Sequence, residues 1–148
     1  MRRRNWLLLA ILLVLCFAWG NSILSGEISK SMSGGIREML IQMLPFLAQM
    51  PERVLRKLAH FAEFAVLGFL LAWYTVRRGK RGFARFFTPF SLSMLAALID
   101  ETIQIYRPGR LSSVTDVWID TFGACTGILL LLLGYTVFTR ITKKGNSE

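Results

Sequence analysis

Four long apolar segments dominate the pattern of hydrophobic and polar positions along this chain. They cover approximately residues 5–26, 58–76, 86–105 and 117–139, and the charged residues are concentrated between these segments and at their ends. An α-helix needs about 20 apolar residues to cross the hydrocarbon core of a bilayer, and each segment reaches or approaches that length. The pattern therefore predicts an all-α, polytopic membrane protein, a single domain over 1–148 built as a bundle of four transmembrane helices.

A second pattern lies between the first two segments, where apolar residues recur at the spacing of one helix face. The spacing predicts an extracytoplasmic amphipathic helix that lies on the bilayer surface or packs on the bundle, and a lid over an outward-facing site is the alternative. Pro45 is expected to kink or end this helix, and Pro51 suits the first turn of the next one. The apolar positions are Ile36, Met39, Leu40, Met43, Leu44 and Leu47.

The charge distribution indicates how the chain is oriented in the membrane. The chain is 53% hydrophobic but has a formal net charge of +9, and three basic groups hold 11 of its 18 Lys and Arg residues. These groups precede the first segment, fill the loop between the second and third, and follow the fourth, so a four-helix topology places them all on one side. That side is cytoplasmic by the positive-inside rule, and its cations contact anionic lipid head groups. We therefore expect a cell-membrane protein with both termini in the cytoplasm and no nucleic-acid partner. The residues are Arg2, Arg3, Arg4, Arg77, Arg78, Lys80, Arg81, Arg85, Arg140, Lys143 and Lys144.

The first segment also loosely resembles a signal peptide, because arginines precede an apolar run that ends in Ala18-Trp19-Gly20. Trp19 fits the small-residue rule for cleavage badly, and removal of the segment would spoil the alternation of basic loops. An uncleaved helix is therefore the prediction. Cys16 and Cys125 both lie inside apolar segments, which predicts two reduced packing residues and no disulfide framework.

A set of polar residues lies near the segment ends that this topology places outside the cell. Ionisable groups at membrane depth are costly, so such a set is a hypothesis for a functional site. Helical spacing predicts that Asp100 and Gln104 share one face of the third segment, and that Asp116 and Asp120 share one face of the fourth, above two glycines that allow close helix approach. The candidate site residues are Lys57, His60, Glu63, Asp100, Glu101, Gln104, Arg107, Arg110, Asp116 and Asp120.

Two stretches of the chain resemble the VanZ-like family. The opening motif of that family is similar to Lys57-x-x-His60-Phe61-x-Glu63-Phe64 with Leu67-Gly68. Its second half is similar to Asp100-Glu101-x-x-Gln104, Pro108-Gly109-Arg110, Asp116 and Asp120-x-x-Gly123-x-x-x-Gly127. Asp120 stands where the family commonly has asparagine, which leaves the protonation or pairing of that position open. The resemblance implies a membrane protein associated with low-level resistance to the glycopeptide antibiotic teicoplanin, and it implies no biochemical mechanism.

The first functional hypothesis is that an outward-facing polar pocket recognises an anionic cell-envelope or lipid-linked ligand, or a glycopeptide. Lys57, Arg107 and Arg110 would hold a phosphate or carboxylate, since arginine suits bidentate contacts with either. Arg110 is expected to anchor the anion, and Glu101 to orient the ligand or support that arginine. His60 would donate a hydrogen bond or transfer a proton.

Two other classes of function remain open. In a membrane enzyme acting on an envelope substrate, His60 with Glu63 or Glu101 would act as acid and base, although no serine or cysteine lies in a nucleophile motif. In a purely structural protein the charged residues would only pair the helices with one another. This hypothesis explains poorly why the polar residues are concentrated on one side of the membrane. A metal could use His60, Glu63, Glu101 and Asp116, but one histidine without HExxH-type spacing argues against it. Binding without turnover is slightly favoured over catalysis, and whether the protein is an enzyme stays open. No metal and no cofactor are predicted.

Overall fold

Four long α-helices form the described part of the chain. The computed structural model describes residues 5–23, 38, 41–42, 45–108 and 113–145, and these residues contain no β-strand. The predicted all-α class is confirmed. The helices are α1 (Asn5–Ile23), α2 (Glu52–Arg77), α3 (Ala84–Ile105) and α4 (Val114–Gly145), with a short 3₁₀ helix at Pro45–Gln49.

Three of these helices are long and apolar enough to cross a membrane: α1 over Trp6–Ile23, α3 over Ala84–Ile105 and α4 over Val114–Thr142. Their outward-facing side chains are large and apolar, such as Leu13 on α1 and Phe138 on α4, each more than half exposed. A continuous apolar surface of this kind is typical of helices surrounded by lipid. The chain is an all-α membrane protein.

Helix α2 contains the remaining predicted segment, 58–76, and it lies at the centre of the bundle. It packs against α1, α3 and α4, most extensively against α4. Phe64, Leu67 and Ala72 are its most deeply buried apolar residues. Helix α2 is not among the described helices that are long and apolar enough to cross a membrane. Its first three turns carry most of its charged residues. The position of α2 in the bundle therefore follows from its packing against the three apolar helices rather than from its own composition.

Glycines bring α2 and α4 into close contact. A Cβ atom added at Gly123 would collide with the backbone of Phe61, and one added at Gly127 would collide with the backbone of Ala65. On α2, a Cβ atom added at Gly68 would likewise collide with the backbone of Ala124 on α4. Small residues at regular helical spacing allow backbones to approach in this way. The predicted glycine face on the fourth segment does point into the bundle.

Aromatic and basic side chains gather at one end of the bundle. The Trp6 and Trp73 ring centroids are 5.1 Å apart, and the Arg85 guanidinium lies 5.2 Å from the Tyr135 ring centroid. These contacts join the start of α1 to the end of α2, and the start of α3 to the second half of α4. Tyr135 is 19 residues from Asp116 along α4, or about 28 Å at 1.5 Å per residue. This separation is close to the thickness of a hydrocarbon core, and polar side chains gather at the other end.

Most of the predicted amphipathic helix lies outside the described residues. Pro45 opens the 3₁₀ helix, and Pro51 caps α2, one position before the first helical residue. Leu47 lies in the 3₁₀ helix. The other predicted stripe residues fall outside the description: Ile36, Met39, Leu40, Met43 and Leu44.

Both cysteines are free thiols in the structure. Cys125 is partly buried on α4, as expected of a packing residue, but Cys16 is exposed on the outer surface of α1. The prediction that Cys16 is a packing residue is therefore wrong, because helix rotation turns it away from the other helices.

Candidate functional site

The end of the bundle opposite the aromatic residues holds a group of polar side chains from all four helices, which we call the polar cluster. Several of these side chains are almost fully buried, with Asp100 at 0%, Asp120 at 1% and Glu101 at 5% exposure. Buried ionisable groups in such numbers are costly and are typical of functional sites in membrane proteins. The polar cluster consists of Ser22, Lys57, His60, Glu63, Asp100, Glu101, Gln104, Asp116 and Asp120.

Gln104 ties the end of α3 to the end of α1. Its Nε2 donates to Asp100 Oδ2 at 2.8 Å, one turn earlier, and to Ser22 Oγ at 3.2 Å. All three side chains are buried. The Asp100–Gln104 neighbour pair predicted from helical spacing is confirmed, and the amide holds one carboxylate oxygen of Asp100 in a fixed position.

Two pairs of charged or ionisable residues bridge α2 and α4. Lys57 Nζ lies 2.9 Å from Asp116 Oδ1, and His60 Nδ1 lies 3.9 Å from Asp120 Oδ1. The glycine contact at Gly123, one turn below Asp120, brings the two backbones close enough for these pairs. Exposure falls from 41% for the Lys57 side chain to 1% for Asp120, so the cluster runs from an accessible rim into a dry interior.

The two glutamates have different surroundings. Glu101 Oε2 accepts a hydrogen bond at 3.0 Å from the backbone N–H of Ser113, the residue before α4 begins. This contact fixes the entry of α4 against the end of α3. Glu63 is partly buried, and its Oε2 accepts no hydrogen bond from the described residues. Glu101 therefore positions the start of α4 through a hydrogen bond, whereas one carboxylate oxygen of Glu63 accepts no hydrogen bond from the described residues.

Of the two predicted arginines, only Arg107 is among the described residues. The Arg107 side chain is exposed just beyond α3, and its backbone N–H donates to the Gln104 carbonyl at 3.1 Å. Arg110 lies outside the described residues. The described part of the cluster is therefore dominated by five carboxylates, with Lys57 and His60 as its basic side chains.

Sequence reasoning missed several buried polar residues. Ser22 sits at the end of an apolar segment, as the predicted site residues do, so the same signal could have found it. Ser93 and Thr121 are also buried, but a small hydroxyl residue inside an apolar segment gives no such signal. Trp19 Nε1 donates to the Ala96 carbonyl at 3.2 Å, which fixes α1 against α3.

One group within the cluster has the composition of a cation site. His60, Asp100 and Asp120 each contribute one potential ligand atom, and these atoms all lie within 4.8 Å of one another. This set shares only His60 with the metal-ligand set considered from the sequence. The difference arises because Asp100 and Asp120 face α2 from two separate helices, which linear spacing does not show.

The architecture and the polar cluster define the chain as a helical membrane protein with several ionisable residues buried together at one end of its helix bundle. The family model described as VanZ/LLP1 matches residues 7–136, from α1 well into α4. The chain belongs to the VanZ/LLP1 family, which confirms the resemblance found in the motifs. Comparisons with curated proteins and with solved structures give no significant match.

Proposed function

We propose that the rim of the polar cluster binds an anionic ligand of the cell envelope, carrying a phosphate or carboxylate group, and so contributes to glycopeptide resistance. The observation that supports this most is the Lys57–Asp116 pair, a lysine 41% exposed and held 2.9 Å from a carboxylate. An ammonium group has three N–H donors. The ion pair with Asp116 leaves N–H donors of Lys57 available for a ligand arriving from the aqueous side.

The carboxylates around this rim have a supporting role in the proposal. Asp116 holds the Lys57 ammonium, and Glu101 fixes the start of α4 through Ser113. Arg107 is exposed just beyond α3 and adds a planar donor group suited to oxyanions. Arg110, three residues further on, is expected to anchor the anion. Because exposed pairs add little stability, this rim is better suited to recognition than to holding the fold.

The orientation of the bundle forms part of the same proposal. We propose that α2 crosses the membrane with α1, α3 and α4, so that both termini are cytoplasmic and the polar cluster faces outward. The basic loop Arg77–Arg85 supports this, since basic loops favour the cytoplasmic side. The contacts of Trp19 and Ser22 with α3 support retention of α1 in the mature protein, because its removal would leave buried Gln104 without one hydrogen-bond acceptor.

A second candidate function is acid–base catalysis on an envelope substrate. It is favoured by the position of His60, whose Nδ1 lies 3.9 Å from buried Asp120. A carboxylate beside an imidazole can orient it and stabilise its protonated form during proton transfer. The two functions differ in one respect: a catalyst consumes its ligand and a binder does not.

The test is teicoplanin susceptibility of a sensitive Gram-positive host that expresses the full chain. Wild type is expected to protect, while Lys57→Ala and Arg110→Ala lose protection at equal membrane abundance. Arg81→Ala removes the same charge at the opposite end of the bundle and should protect as wild type does. Absence of protection by wild type, or full protection by Lys57→Ala, would contradict the proposal.

His60→Gln distinguishes binding from catalysis in the same assay. Glutamine keeps hydrogen-bonding capacity but cannot transfer a proton at neutral pH. If binding is the function, His60→Gln keeps most of the protection. Complete loss of protection at equal abundance favours the catalytic function instead.

A further inference from the structure

We propose that His60, Asp100 and Asp120 bind a divalent transition-metal ion, with Zn²⁺ as the representative ion, inside the bundle below the rim. This proposal departs from the sequence-based prediction of no metal, and it does not rest on the anionic ligand proposed for the rim. The three residues come from α2, α3 and α4, so the ion would join the three helices that form the core of the polar cluster.

The donor atoms are close enough for one ion. One ligand atom from each residue lies within 4.8 Å of the other two, and His60 Nδ1 lies 3.9 Å from Asp120 Oδ1. Zinc binds histidine nitrogen and carboxylate oxygen at about 2.0–2.2 Å, so two ligands of a tetrahedral ion are about 3.4 Å apart. Side-chain rotations that shorten the ligand–ligand distances by up to about 1.4 Å would therefore complete the site.

The carboxylates carry unused acceptor capacity in a dry environment. Asp120 is 1% exposed, and neither of its oxygens accepts a hydrogen bond from the described residues. Asp100 is fully buried, and its Oδ1 is likewise without a hydrogen bond while Oδ2 is held by Gln104. Buried polar atoms in native proteins almost always have partners. A cation coordinated by Asp120 and by Asp100 Oδ1 supplies them, and Gln104 then orients a ligand from the outer shell.

The charge of the site favours a divalent ion over a simple ion pair. A metal ion binds carboxylates in their ionised form and imidazole in its neutral form. In that form the three ligands carry a charge of −2, which a divalent cation balances. Lys57, the other basic side chain of the polar cluster, is paired with Asp116 at the rim. Burial of uncompensated charge is costly, so neutralisation by the ion would stabilise this arrangement.

The ligand types indicate which ions fit. An imidazole nitrogen with two carboxylate oxygens suits Zn²⁺ or a similar first-row ion, whereas Mg²⁺ and Ca²⁺ favour sites made of oxygen ligands only. Three protein ligands also leave a fourth zinc position open, as in sites where the metal holds water or another small ligand. The proposed site is therefore a three-ligand transition-metal site with a free coordination position.

The proposal is tested by metal binding to the purified full chain in detergent micelles. The protein is first stripped with a chelator and then titrated with Zn²⁺ in competition with a chromophoric chelator, and with Co²⁺ to record its visible absorption. One Zn²⁺ per chain is expected, and Co²⁺ should give the ligand-field bands of a low-coordinate nitrogen and oxygen site. The variants Asp100→Asn and Asp120→Asn keep side-chain shape, and His60→Gln keeps a polar side chain. Each should weaken Zn²⁺ binding by at least about tenfold.

Asp116→Asn is the matched control. It removes a carboxylate from the same helix one turn outside Asp120 and should leave Zn²⁺ affinity and the Co²⁺ spectrum unchanged. Failure of wild type to bind stoichiometric Zn²⁺ would overturn the proposal, whatever the folding of the variants. It would also be overturned if the three ligand variants bound Zn²⁺ as wild type does, or if Asp116→Asn alone lost the ion. None of these results bears on protection against teicoplanin, so the two proposals can fail separately.

Discussion

The close approach of α2 and α4 makes Gly123→Ala the most informative single perturbation of the fold. The added Cβ would lie 3.0 Å from the carbonyl carbon and 3.1 Å from the Cα atom of Phe61, and nearer still to the Phe61 oxygen. Carbon atoms in contact normally lie about 3.5–4.0 Å apart. The obstacle is backbone and cannot rotate away, so the two helices must separate by several tenths of an ångström at the level just below the polar cluster.

The expected cost follows from the size of this clash. Overpacking a close-packed interior by one methyl group costs about 1–3 kcal/mol, and for a chain of this length each kcal/mol lowers the melting temperature by about 2–4 °C. We therefore expect Gly123→Ala to lower the Tm of the detergent-solubilised protein. It should also widen the gap between His60 and Asp120, one turn away, and so weaken any function of that pair.

Gly134→Ala is the matched control for this experiment. Gly134 lies on the same helix, and a Cβ added there would have no other described residue within 4 Å apart from the adjacent backbone of its own helix. Alanine favours the helical state over glycine by about 0.5–1 kcal/mol, so this variant should be as stable as wild type or slightly more stable. Equal Tm values for the two variants would refute the claim that glycine-mediated backbone contact positions the cluster.

Two further predictions concern the attachment of α1 to the bundle. In a double-mutant cycle, Gln104→Leu and Ser22→Ala should show a coupling of about 0.5–3 kcal/mol in unfolding free energy, because they share a buried hydrogen bond; zero coupling would mean that the bond contributes nothing to stability. Trp19→Phe removes the indole N–H that donates to the Ala96 carbonyl and should cost about 0.5–1.5 kcal/mol, measured by thermal unfolding. A Trp19→Phe protein as stable as wild type would show that this carbonyl is satisfied without Trp19.

The sequence predicts the helices well, because lipid burial leaves long apolar segments and places charges at their ends. Spacing along one helix also predicts a local contact such as Asp100 with Gln104. Contacts between helices are different, since they depend on how each helix is rotated about its own axis. The pairing of His60 with Asp120 and of Gln104 with Ser22 could not be derived from spacing for that reason.

Among the features of the sequence, the spacing of Gly123 and Gly127 is the strongest indication of these contacts between helices. The face formed by Asp120, Gly123 and Gly127 predicts close packing on α4, yet it does not name α2 as the partner. The chemistry of the site shows the same limit. The sequence indicated an outward group of ionisable residues, but only the fold brings His60, Asp100 and Asp120 within 4.8 Å of one another.

The central claim is that the polar cluster opens to the outside of the cell, and cysteine accessibility tests it most directly. In a chain with Cys16 and Cys125 replaced by alanine, Tyr106→Cys places a thiol at the polar end and Lys80→Cys places one in the basic loop, where both native side chains are exposed. The proposed orientation predicts that a membrane-impermeant maleimide labels Tyr106→Cys on intact cells and Lys80→Cys only after permeabilisation. Labelling of Lys80→Cys on intact cells, with Tyr106→Cys protected, would place the polar cluster in the cytoplasm and contradict recognition of an envelope ligand.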